Sequence, residues 1–586
     1  MGFQKNRRGA GALAKGEFGV SKTRDSRLIR IAGKTGEGVD SAGDILAHIA
    51  KESGLEVNTF RSFPPVIKGG NTHHDVRIGV RPVLCSGDDV DVLIALDGEQ
   101  LARLKRDVAE DGWVLYDRDA VRDVPERKNW VGLPLKSTAR SVGAPVMRNM
   151  VALGAVTRLA GLDGKRAAGI IRARFAAKGE RVAEENRRAF EAGYRMHEPR
   201  MKPFLPRMSE AGAKEKDRLF LSGNEAMAFG ALAADCKLFA GYPITPATDI
   251  MEWLAVRLPR FGGDVVQTED EIAALCMVIG AQYAGVRAMT ATSGPGISLM
   301  TEALGLSGMT ETPAVIVNVQ RPGPSAGMPT KHEQGDIQHM IFASHGEFSR
   351  IVLAPGTIGE CFRDIVAAFH LADRHQCPVL VASDQDLALR KQTIDPSELD
   401  PENIAIDRGK LAAPGDGFRR YACTDDGISP RAFPGQEGML FLASGDEHDE
   451  EGKIDVEIPE VRRRMVEKRM RKIRRVESES LRWYGNPAAH RVLVGCGSVT
   501  GVALEVLRRA PDWKFVQIRR LWPFPAREVE AALRGAERVA VAEHNEGGQL
   551  ARLIRSELPI HERLRSIRKY DGTPFKPREL WEAMQG

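Results

Sequence analysis

The chain has 586 residues, 42% of them hydrophobic, and its formal net charge of +5 results from 84 basic and 79 acidic side chains. This length predicts several domains, and the nearly balanced charge gives no indication of a nucleic-acid partner. No apolar run approaches the ~20 residues that a membrane-spanning helix needs, so no membrane partner is expected.

Cysteine usage argues against two kinds of metal centre in this chain. The seven cysteines are widely scattered: Cys85, Cys236, Cys276, Cys361, Cys377, Cys423 and Cys496. Because no Cys-x-x-Cys pair occurs, neither a zinc site nor an iron–sulfur cluster is predicted here. Scattered thiols are typical of a reducing compartment, and the cytoplasm is the predicted location.

The N-terminal region predicts a tail followed by an α/β domain. Residues 1–25 are basic and lack an apolar core, so we expect a loose tail and no signal peptide. The first domain is predicted over residues 26–195. It opens with a buried strand at 28–32, a tight turn at 33–38 and an amphipathic helix.

The turn in this first domain contains three glycines with a possible binding role. Gly33, Gly36 and Gly38 let the backbone approach a phosphate at the N-terminus of the following helix. Their spacing matches neither the P-loop nor the dinucleotide-binding pattern, so ATP and NAD sites are not predicted. A phosphate or coenzyme A loop and an ordinary strand-to-helix turn both remain open.

The next stretch predicts helix and then a linker. Residues 164–194 have charge along one face and predict a packing helix, not a nucleic-acid patch. Residues 196–217 are rich in Pro, Gly and Lys and predict a domain linker.

The second domain, predicted over residues 218–395, repeats strand, glycine turn and helix. Residues 242–246 read Tyr-Pro-Ile-Thr-Pro, and their prolines predict a stiff, extended loop. Glu271 begins an apolar helix, a Thr-Ser-Gly-Pro-Gly turn occupies 292–296, and Arg321 follows another strand. Because loops gather at the carboxyl ends of parallel strands, we expect these features to meet along one edge of a sheet.

Two charged residues on that edge have suggestive chemistry. A carboxylate at the start of an apolar helix, such as Glu271, is stabilised by the helix N-terminus and suited to hold a proton on a ring nitrogen. Arg321 offers a planar fork for a carboxylate. Taken alone, Glu271 also fits the acidic residues that are ordinary in first helical turns, and the Ser-Gly-Pro-Gly turn fits the glycine-rich turns that are common in α/β folds.

Four ordered segments carry a resemblance to a known family: GYPITPATDI, QTEDEIAA, TATSGPG and QRPGPSAGMPTKHEQGD. They resemble the α subunit of 2-oxoacid:ferredoxin oxidoreductases. From about Arg27 onward the chain is most similar to the long form found in 2-oxoglutarate:ferredoxin oxidoreductases, which has a γ domain fused at its N-terminus.

The resemblance implies a multidomain α/β fold. Its parts would be a γ-type α/β domain, a pyrimidine-binding thiamine-diphosphate domain with helices on both sides of a parallel sheet, and a transketolase C-terminal-like α/β domain. The last would occupy residues 486–586, after a connector over residues 396–485.

The resemblance also implies roles for individual residues. Glu271 would be the catalytic residue that keeps the aminopyrimidine of thiamine diphosphate protonated at its ring nitrogen. Arg321 and Thr330 would bind the carboxylate of the 2-oxoacid. The residues expected to contact the cofactor are Tyr242, Pro243, Ile244, Thr245, Ser293 and Gly294.

A partial motif indicates that a second polypeptide completes the cofactor site. Residues 415–417, Gly-Asp-Gly, match the start of the magnesium motif of thiamine-diphosphate enzymes, but no Asn follows before Asn486. The ligand set therefore cannot close in this chain. By resemblance, a β subunit would hold the diphosphate and its Mg²⁺, carry a 4Fe-4S cluster and form an (αβ)₂ assembly.

Several polar residues elsewhere are expected to be structural. His332 and His345 lie near Arg321 and are conceivable acid–base groups, but nothing in the sequence fixes their orientation. Glu447, His448 and Asp449 are contiguous and rarely converge on one ion without a turn. The basic run that follows them predicts a solvated helix face or a subunit contact.

The function that the resemblance implies is that of the α subunit of an enzyme that interconverts 2-oxoglutarate, coenzyme A and oxidised ferredoxin with succinyl-CoA, CO₂ and reduced ferredoxin. The carboxylating direction is also possible in the resembling family. The same reaction on pyruvate or another 2-oxoacid is an alternative. An alternative of a different class is a non-catalytic nucleotide- or coenzyme-A-binding module built on residues 33–38.

Overall fold

The computed structural model describes residues 25–64, 69–196, 198–199, 201, 203, 217–413, 417–560 and 563–586. The predicted tail, apart from Asp25, lies outside the described residues, as do most of the predicted linker and two residues of the Gly-Asp-Gly motif, Gly415 and Asp416.

The N-terminal part alternates strands and helices. Its elements are β1 Ser26–Lys34, α1 Val39–Glu52, β2 Glu56–Ser62, β3 Asn71–Gly79, β4 Val90–Ala95, α2 Gly98–Leu104, β5 Val108–Asp117, β6 Trp130–Leu133, α3 Leu135–Val142, α4 Arg148–Ala160, α5 Gly164–Phe175 and α6 Glu180–Arg195. The single packing helix predicted over residues 164–194 is therefore two helices. They are separated at Gly179, whose φ of 100° lies outside helical backbone.

The middle part carries the candidate site. Its elements are β7 Leu219–Ser222, α7 Gly223–Ala233, β8 Leu238–Gly241, α8 Thr248–Arg257, β9 Asp264–Gln267, α9 Glu271–Tyr283, β10 Ala288–Thr292, α10 Gly294–Leu299, α11 Thr301–Met309, β11 Ala314–Gln320, α12 Ile337–Phe342, β12 Ile351–Leu353, α13 Ile358–His375, β13 Pro378–Asp384, α14 Gln385–Leu389 and β14 Lys391–Ile394.

The C-terminal part follows a connector with little regular structure. Its elements are α15 Pro459–Arg471, β15 Leu481–Gly485, β16 Arg491–Gly495, α16 Val499–Leu507, β17 Trp513–Ile518, β18 Arg520–Trp522, α17 Ala526–Ala532, β19 Arg538–Glu543, α18 Gln549–Glu557, β20 Leu564–Arg568 and α19 Pro577–Gln585.

Three sheets organise these elements. The first has the order β6-β5-β4-β1-β3-β2-β14-β7, the second β18-β12-β13-β11-β10-β8-β9, and the third β15-β17-β16-β19-β20. In the second sheet every neighbouring pair is parallel except β12 with β18. The predicted multidomain α/β class is confirmed.

The second sheet is covered on both faces. Successive residues of its central strand β11 enter opposite cores: Val315 and Val317 pack with α7, α8 and α13, whereas Ala314 and Ile316 pack with α9, α11 and α12. All seven residues of β11 are buried, as expected for a central parallel strand. The second of these cores continues into the third sheet through Val492 and Val516. This shared core attaches the C-terminal part firmly to the middle part.

The basic run in α15 differs from its sequence-based interpretation. Lys468 and Lys472 are 1% and 3% exposed, and both ammonium groups contact the buried carboxylate of Glu311. Arg469 is also buried and pairs with Glu447 at 2.8 Å. The alternative that makes the whole run a solvated face is therefore wrong, because buried acids outside the run pair with part of it. The other alternative, a subunit contact, stays a prediction.

Among the described residues, no helix is both long enough and apolar enough to cross a bilayer.

Candidate active site

The candidate site lies where strands of the second sheet end. β8 ends at Gly241 and leads into residues 242–246, β10 ends at Thr292 before Ser293, and β11 ends at Gln320 before Arg321. These strands are neighbours or near neighbours in one parallel sheet, so their carboxyl ends lie at one edge.

Glu271 is the first residue of α9 and is only 5% exposed. The preceding Asp270 caps the helix, since its side chain accepts a hydrogen bond from the Ala273 N–H at 2.8 Å. A Cβ placed on Gly296 would lie 2.7 Å from Glu271 Oε1 and 2.0 Å from Thr292 Oγ1. Glycine at 296 therefore lets the first turn of α10 close onto the carboxylate, which brings Glu271 and the Thr-Ser-Gly-Pro-Gly turn together.

The loop over residues 242–246 contacts Arg321 directly. Arg321 Nη1 donates a hydrogen bond of 2.6 Å to the carbonyl of Thr245. On the other side of the loop, the fully buried Asn224 donates from Nδ2 to the carbonyl of Pro246 at 2.8 Å. Tyr242 is 43% exposed, and Pro243, Ile244 and Thr245 are half-buried. The loop thus presents Tyr242 outward while its far end is fixed.

Asp336 connects Arg321 with the turn after β10. Its Oδ2 accepts a hydrogen bond from Asn318 Nδ2 at 3.1 Å and would lie 2.8 Å from a Cβ placed on Gly294. Burial lowers the pKa of the Arg321 guanidinium, and the Asp336 carboxylate partly offsets that shift. Burial raises the pKa of Asp336, against the stabilising effects of Asn318, His339 and Arg321.

Two predicted polar residues are buried at this edge. Ser293 is fully buried, and its hydroxyl has no hydrogen-bond partner in the described part of the chain. Thr330 is 6% exposed, and its carbonyl accepts a hydrogen bond from Gln385 Nε2 at 3.4 Å. Thr330 belongs to residues 321–336, called the 321–336 loop below, which joins β11 to α12.

The same loop contains a carboxyl group with an unusual titration. Burial, together with the nearby Asp336 carboxylate, raises the pKa of half-buried Glu333 to about 7. Its carboxyl group therefore changes charge near neutral pH.

This arrangement fits one half of thiamine diphosphate. The buried carboxylate of Glu271 is suited to a protonated ring nitrogen, and buried polar atoms without partners remain for a ligand on Ser293 and on Arg321 Nε. Among the described residues, no group of three or more His, Cys, Asp or Glu side chains could hold a metal ion.

A side chain of the same domain already fills the space beside the glycine turn. Gly36 and Gly38 have φ values of 94° and 72°, but the space beside Gly33 holds the side chain of Glu37. Its Oε2 accepts a hydrogen bond from the Lys34 N–H at 3.0 Å, and its Oε1 pairs with Arg148. Among the described residues, no hydrogen bond joins residues 33–38 to Arg321 or Thr330.

Sequence reasoning missed four residues of this site: Asn224, Asn318, Glu333 and Asp336. Asn224 has no motif around it, and its role appears only when α7 meets the loop 22 residues later. Asp336 could have been found, because a Gly-Asp pair ends the conspicuous loop that follows Arg321. His332 was expected to be structural and is 1% exposed.

Comparison with known families covers most of the chain. Residues 229–468 match "Pyruvate flavodoxin/ferredoxin oxidoreductase, thiamine diP-bdg", residues 28–196 match "Pyruvate ferredoxin/flavodoxin oxidoreductase", and residues 489–580 match "Pyruvate:ferredoxin oxidoreductase core domain II". A thiamine-diphosphate-binding domain is therefore present, and it includes the sheet edge described above.

Similar proteins extend this finding over nearly the full length. The 2-oxoacid:ferredoxin oxidoreductase subunit alpha of Sulfolobus sp is 32% identical over 94% of this chain and 96% of its own. The 2-oxoglutarate synthase subunit KorA of Methanothermobacter thermautotrophicus is 37% identical over 62% of this chain and 97% of its own. A solved 2-oxoglutarate:ferredoxin oxidoreductase from Magnetococcus marinus, with 2-oxoglutarate, coenzyme A and succinyl-CoA bound, superposes with a TM-score of 0.87. Its identity is 34%, and the match covers 96% of this chain and 100% of that one.

Proposed function

The chain belongs to the α subunits of 2-oxoacid:ferredoxin oxidoreductases, and from that premise we propose that its substrate is 2-oxoglutarate. The reaction converts 2-oxoglutarate, coenzyme A and two oxidised ferredoxins into succinyl-CoA, CO₂, two reduced ferredoxins and a proton, or runs in reverse. The similarity to 2-oxoglutarate synthase subunits and to a 2-oxoglutarate:ferredoxin oxidoreductase structure supports this choice.

The observation that carries the proposal is the joint placement of Glu271 and Arg321 at one sheet edge. Thiamine diphosphate, when bound, supplies a nucleophilic carbon and an electron sink for decarboxylation. Glu271 holds a proton on the pyrimidine nitrogen, which its burial and its position at the N-terminus of α9 favour. Arg321 and Thr330 hold the substrate carboxylate, and the bond from Arg321 to the Thr245 carbonyl fixes the guanidinium.

A second polypeptide is part of the proposal. This edge offers residues for the pyrimidine end of the cofactor, and the diphosphate with its Mg²⁺ is assigned to a β subunit that also carries a 4Fe-4S cluster. The exposed face of α9 supports such a partner. Ile272 and Met277 are 44% and 38% exposed there, and Leu299 of α10 is 48% exposed. An (αβ)₂ assembly would cover these apolar side chains.

We also propose a contact for coenzyme A and limits for the domains. The loop with Gly33, Gly36 and Gly38 is a candidate contact for a phosphate of coenzyme A, and binding there would have to displace the Glu37 carboxylate. The proposed domain limits are residues 26–195 for the γ domain, 196–217 for the linker and 218–395 for the pyrimidine-binding domain. The connector then covers residues 396–485 and the C-terminal domain residues 486–586. The free cysteines of the described chain support a cytoplasmic location.

The decisive experiment is a substrate panel on the complex of this chain with its β subunit. Reduction of a viologen dye is followed with 2-oxoglutarate, pyruvate and 2-oxoisovalerate, with and without thiamine diphosphate and coenzyme A. We expect turnover that requires both additions and a kcat/KM that is highest for 2-oxoglutarate. A higher value for pyruvate, which the matched families carry in their names, would replace the proposed substrate.

A binding measurement on the isolated chain tests the function of a different class. If the chain were a nucleotide- or coenzyme-A-binding module, it would bind such a ligand tightly alone and form no catalytic complex. We expect weak binding of coenzyme A by the isolated chain. Tight binding together with no turnover by the complex would favour the module.

A further inference from the structure

The 321–336 loop is tied to the third sheet along its backbone. The His332 N–H donates to the Gly572 carbonyl at 3.1 Å, and the Gln334 N–H donates to the His544 carbonyl at 2.6 Å. In the other direction, Asn545 Nδ2 donates to the Gln334 carbonyl at 3.1 Å. Gln549 Nε2 donates to the next carbonyl, that of Gly335, at 2.6 Å. The C-terminal part therefore determines where the end of this loop lies.

The side chain of Gln334 lies at the centre of this attachment. It is 1% exposed, and its Nε2 donates to Asp384 Oδ2 at 2.8 Å and to the Cys496 carbonyl at 3.1 Å. Its Oε1 accepts from the His544 N–H at 3.3 Å. These partners stand at the ends of β13, β16 and β19, so one amide joins the second sheet to the third.

We call the hydrogen bonds of the Gln334 side chain to Asp384, Cys496 and His544 the Gln334 joint. A glycine that follows β16 leaves the space that this joint needs. Gly497 has a φ of 60°, and a Cβ placed there would lie 2.5 Å from Gln334 Nε2 and 2.6 Å from Asp384 Oδ2. The backbone of the third sheet therefore approaches the Gln334–Asp384 hydrogen bond as closely as a main chain can.

His332 completes the joint and has no access to substrate. Its Nε2 lies 3.3 Å from Ser498 Oγ, its Nδ1 lies 3.6 Å from Asp384 Oδ1, and its ring packs against that of His544. This order resembles the triad of a hydrolase. However, His332, Asp384 and Ser498 are at most 3% exposed, so a substrate cannot reach the hydroxyl.

We propose that Gln334 is a positioning residue for substrate recognition. It holds the 321–336 loop, and with it Thr330, four residues earlier, in the position from which Thr330 and Arg321 together would receive the carboxylate of the 2-oxoacid. The inference rests on the proposed function, and it adds that the third sheet, which supplies none of the assigned site residues, sets the geometry of the substrate end. Glu271 lies on another segment, and the loop at 242–246 is bonded to the 321–336 loop through Arg321, at the opposite end of that loop from Gln334, so we expect the cofactor end of the site to change less.

The first test compares two buried glutamines in the complex with the β subunit. Gln334→Leu removes the joint. Gln517→Leu is the matched control, because Gln517 is fully buried in the third sheet and donates to Glu360 Oε2 at 2.6 Å, away from the loop. We expect Gln334→Leu to raise KM for the 2-oxoacid ~10-fold or more and to change the Kd of thiamine diphosphate less than ~2-fold. Gln517→Leu should leave KM within ~2-fold of the wild type.

A conservative variant gives a pH signature that a loss of folding would not produce. In Gln334→Glu, the protonated acid can still donate to Asp384, whereas the ionised form repels it. KM of this variant should therefore fall toward the wild-type value as pH is lowered, with the ratio of variant to wild type measured at each pH. If the ratio of KM values, variant to wild type, did not change with pH, the hydrogen bond from residue 334 to Asp384 would have no part in substrate recognition.

A third readout separates this inference from the proposed function. Hydrogen exchange of residues 321–336 in the full chain should be faster in Gln334→Leu than in Gln517→Leu. Equal exchange in the two variants, or equal KM, overturns the positioning role even if the wild type is fully active. If the wild-type complex turns over no 2-oxoacid, the proposed function fails, and the exchange experiment still decides whether Gln334 holds the loop.

Discussion

Glu271 shows how much a single position depends on its immediate neighbours. The carboxylate stands in the first turn of α9, where the helix dipole favours negative charge, and Asp270 caps that turn. Gly296, at the start of α10, leaves room for the Glu271 carboxylate because it has no side chain. A group held in this way can hold a proton on a bound ring without moving.

Replacing Glu271 by Gln should lower kcat by ~10²- to 10⁴-fold, because an amide keeps the shape of the side chain but cannot exchange the proton. KM for the 2-oxoacid should change little, since Arg321 and Thr330 remain. Steady-state kinetics of the complex measure both values. Glu269→Gln, two residues away and exposed, is the control, and near-normal turnover in Glu271→Gln would remove the catalytic assignment.

The raised pKa of Glu333 predicts how the stability of the folded chain depends on pH. Its pKa is raised from an ordinary 4.5 to about 7, so the folded chain binds a proton that the unfolded chain releases between these values, and stability falls as pH rises through this window. Glu333→Gln removes this cost. The Tm of the variant minus that of the wild type should therefore become more positive from pH 5 to pH 8.

Calorimetry at the two pH values measures that difference in Tm. Glu347→Gln removes an exposed carboxylate from the same region and should shift Tm by a similar small amount at both. A difference for Glu333→Gln that did not change with pH would show that the carboxyl group titrates normally in the folded chain.

At the scale of elements, the short α10 brings its first turn onto the start of α9. The contact of Gly296 with Glu271 and Thr292 is too close for any side chain. The position of the Glu271 carboxylate is therefore set by the packing of two helix starts against β10, and not by α9 alone.

Gly296→Ala should push these helix starts apart. We expect a destabilisation of about 1–3 kcal/mol from overpacking and a weaker affinity of the complex for thiamine diphosphate, measured by denaturant unfolding and by titration. Gly169→Ala in α5 is the control, since a Cβ there meets nothing within 4 Å and should stabilise the helix by about 1 kcal/mol. Unchanged cofactor affinity in Gly296→Ala would contradict the described contact.

Elements carried by local patterns were predictable from the sequence. The strand before Arg321, the helix beginning at Glu271 and the turn at 292–296 all follow from apolar runs and glycines within a few residues. The partners of Gln334 were not predictable, because His544 lies 210 residues further along the chain. The burial of Lys472 beside Glu311 depends in the same way on an element that the local sequence does not contain.

At the scale of the whole molecule, a buried ion pair attaches the N-terminal part to the C-terminal part. Glu505 of α16 accepts hydrogen bonds from Arg77 Nη1 at 2.8 Å and from the Leu84 N–H at 2.8 Å. It also accepts one from the Cys85 N–H at 3.2 Å. The Glu505 carboxylate therefore joins the N-terminal part to the C-terminal part, together with surface contacts such as the one between Arg578 and Asp89.

Glu505→Ala should loosen this attachment, because it leaves the largely buried Arg77 guanidinium, whose side chain is 16% exposed, without its counter-ion, at a cost of about 3 kcal/mol. We expect a lower Tm and faster proteolysis between the N-terminal part and the rest of the chain. Glu557→Ala, at an exposed position of α18, should leave both unchanged. Equal behaviour of the two variants would show that the domains are held together elsewhere.

The order of strands in the first sheet bears on how this polypeptide could be divided. β14 and β7, from beyond the linker, complete that sheet beside β2, with Gln392 opposite Asn58 and Lys391 opposite Ser222. A gene cut at the linker would separate β14 from β2, while β14 kept β7, and would expose unpaired backbone amides and carbonyls on both new sheet edges, which favours aggregation. Hydrogen bonds between strands on either side of the linker thus hold the two modules together. If the chain were split at the linker, the two pieces would have to be co-expressed.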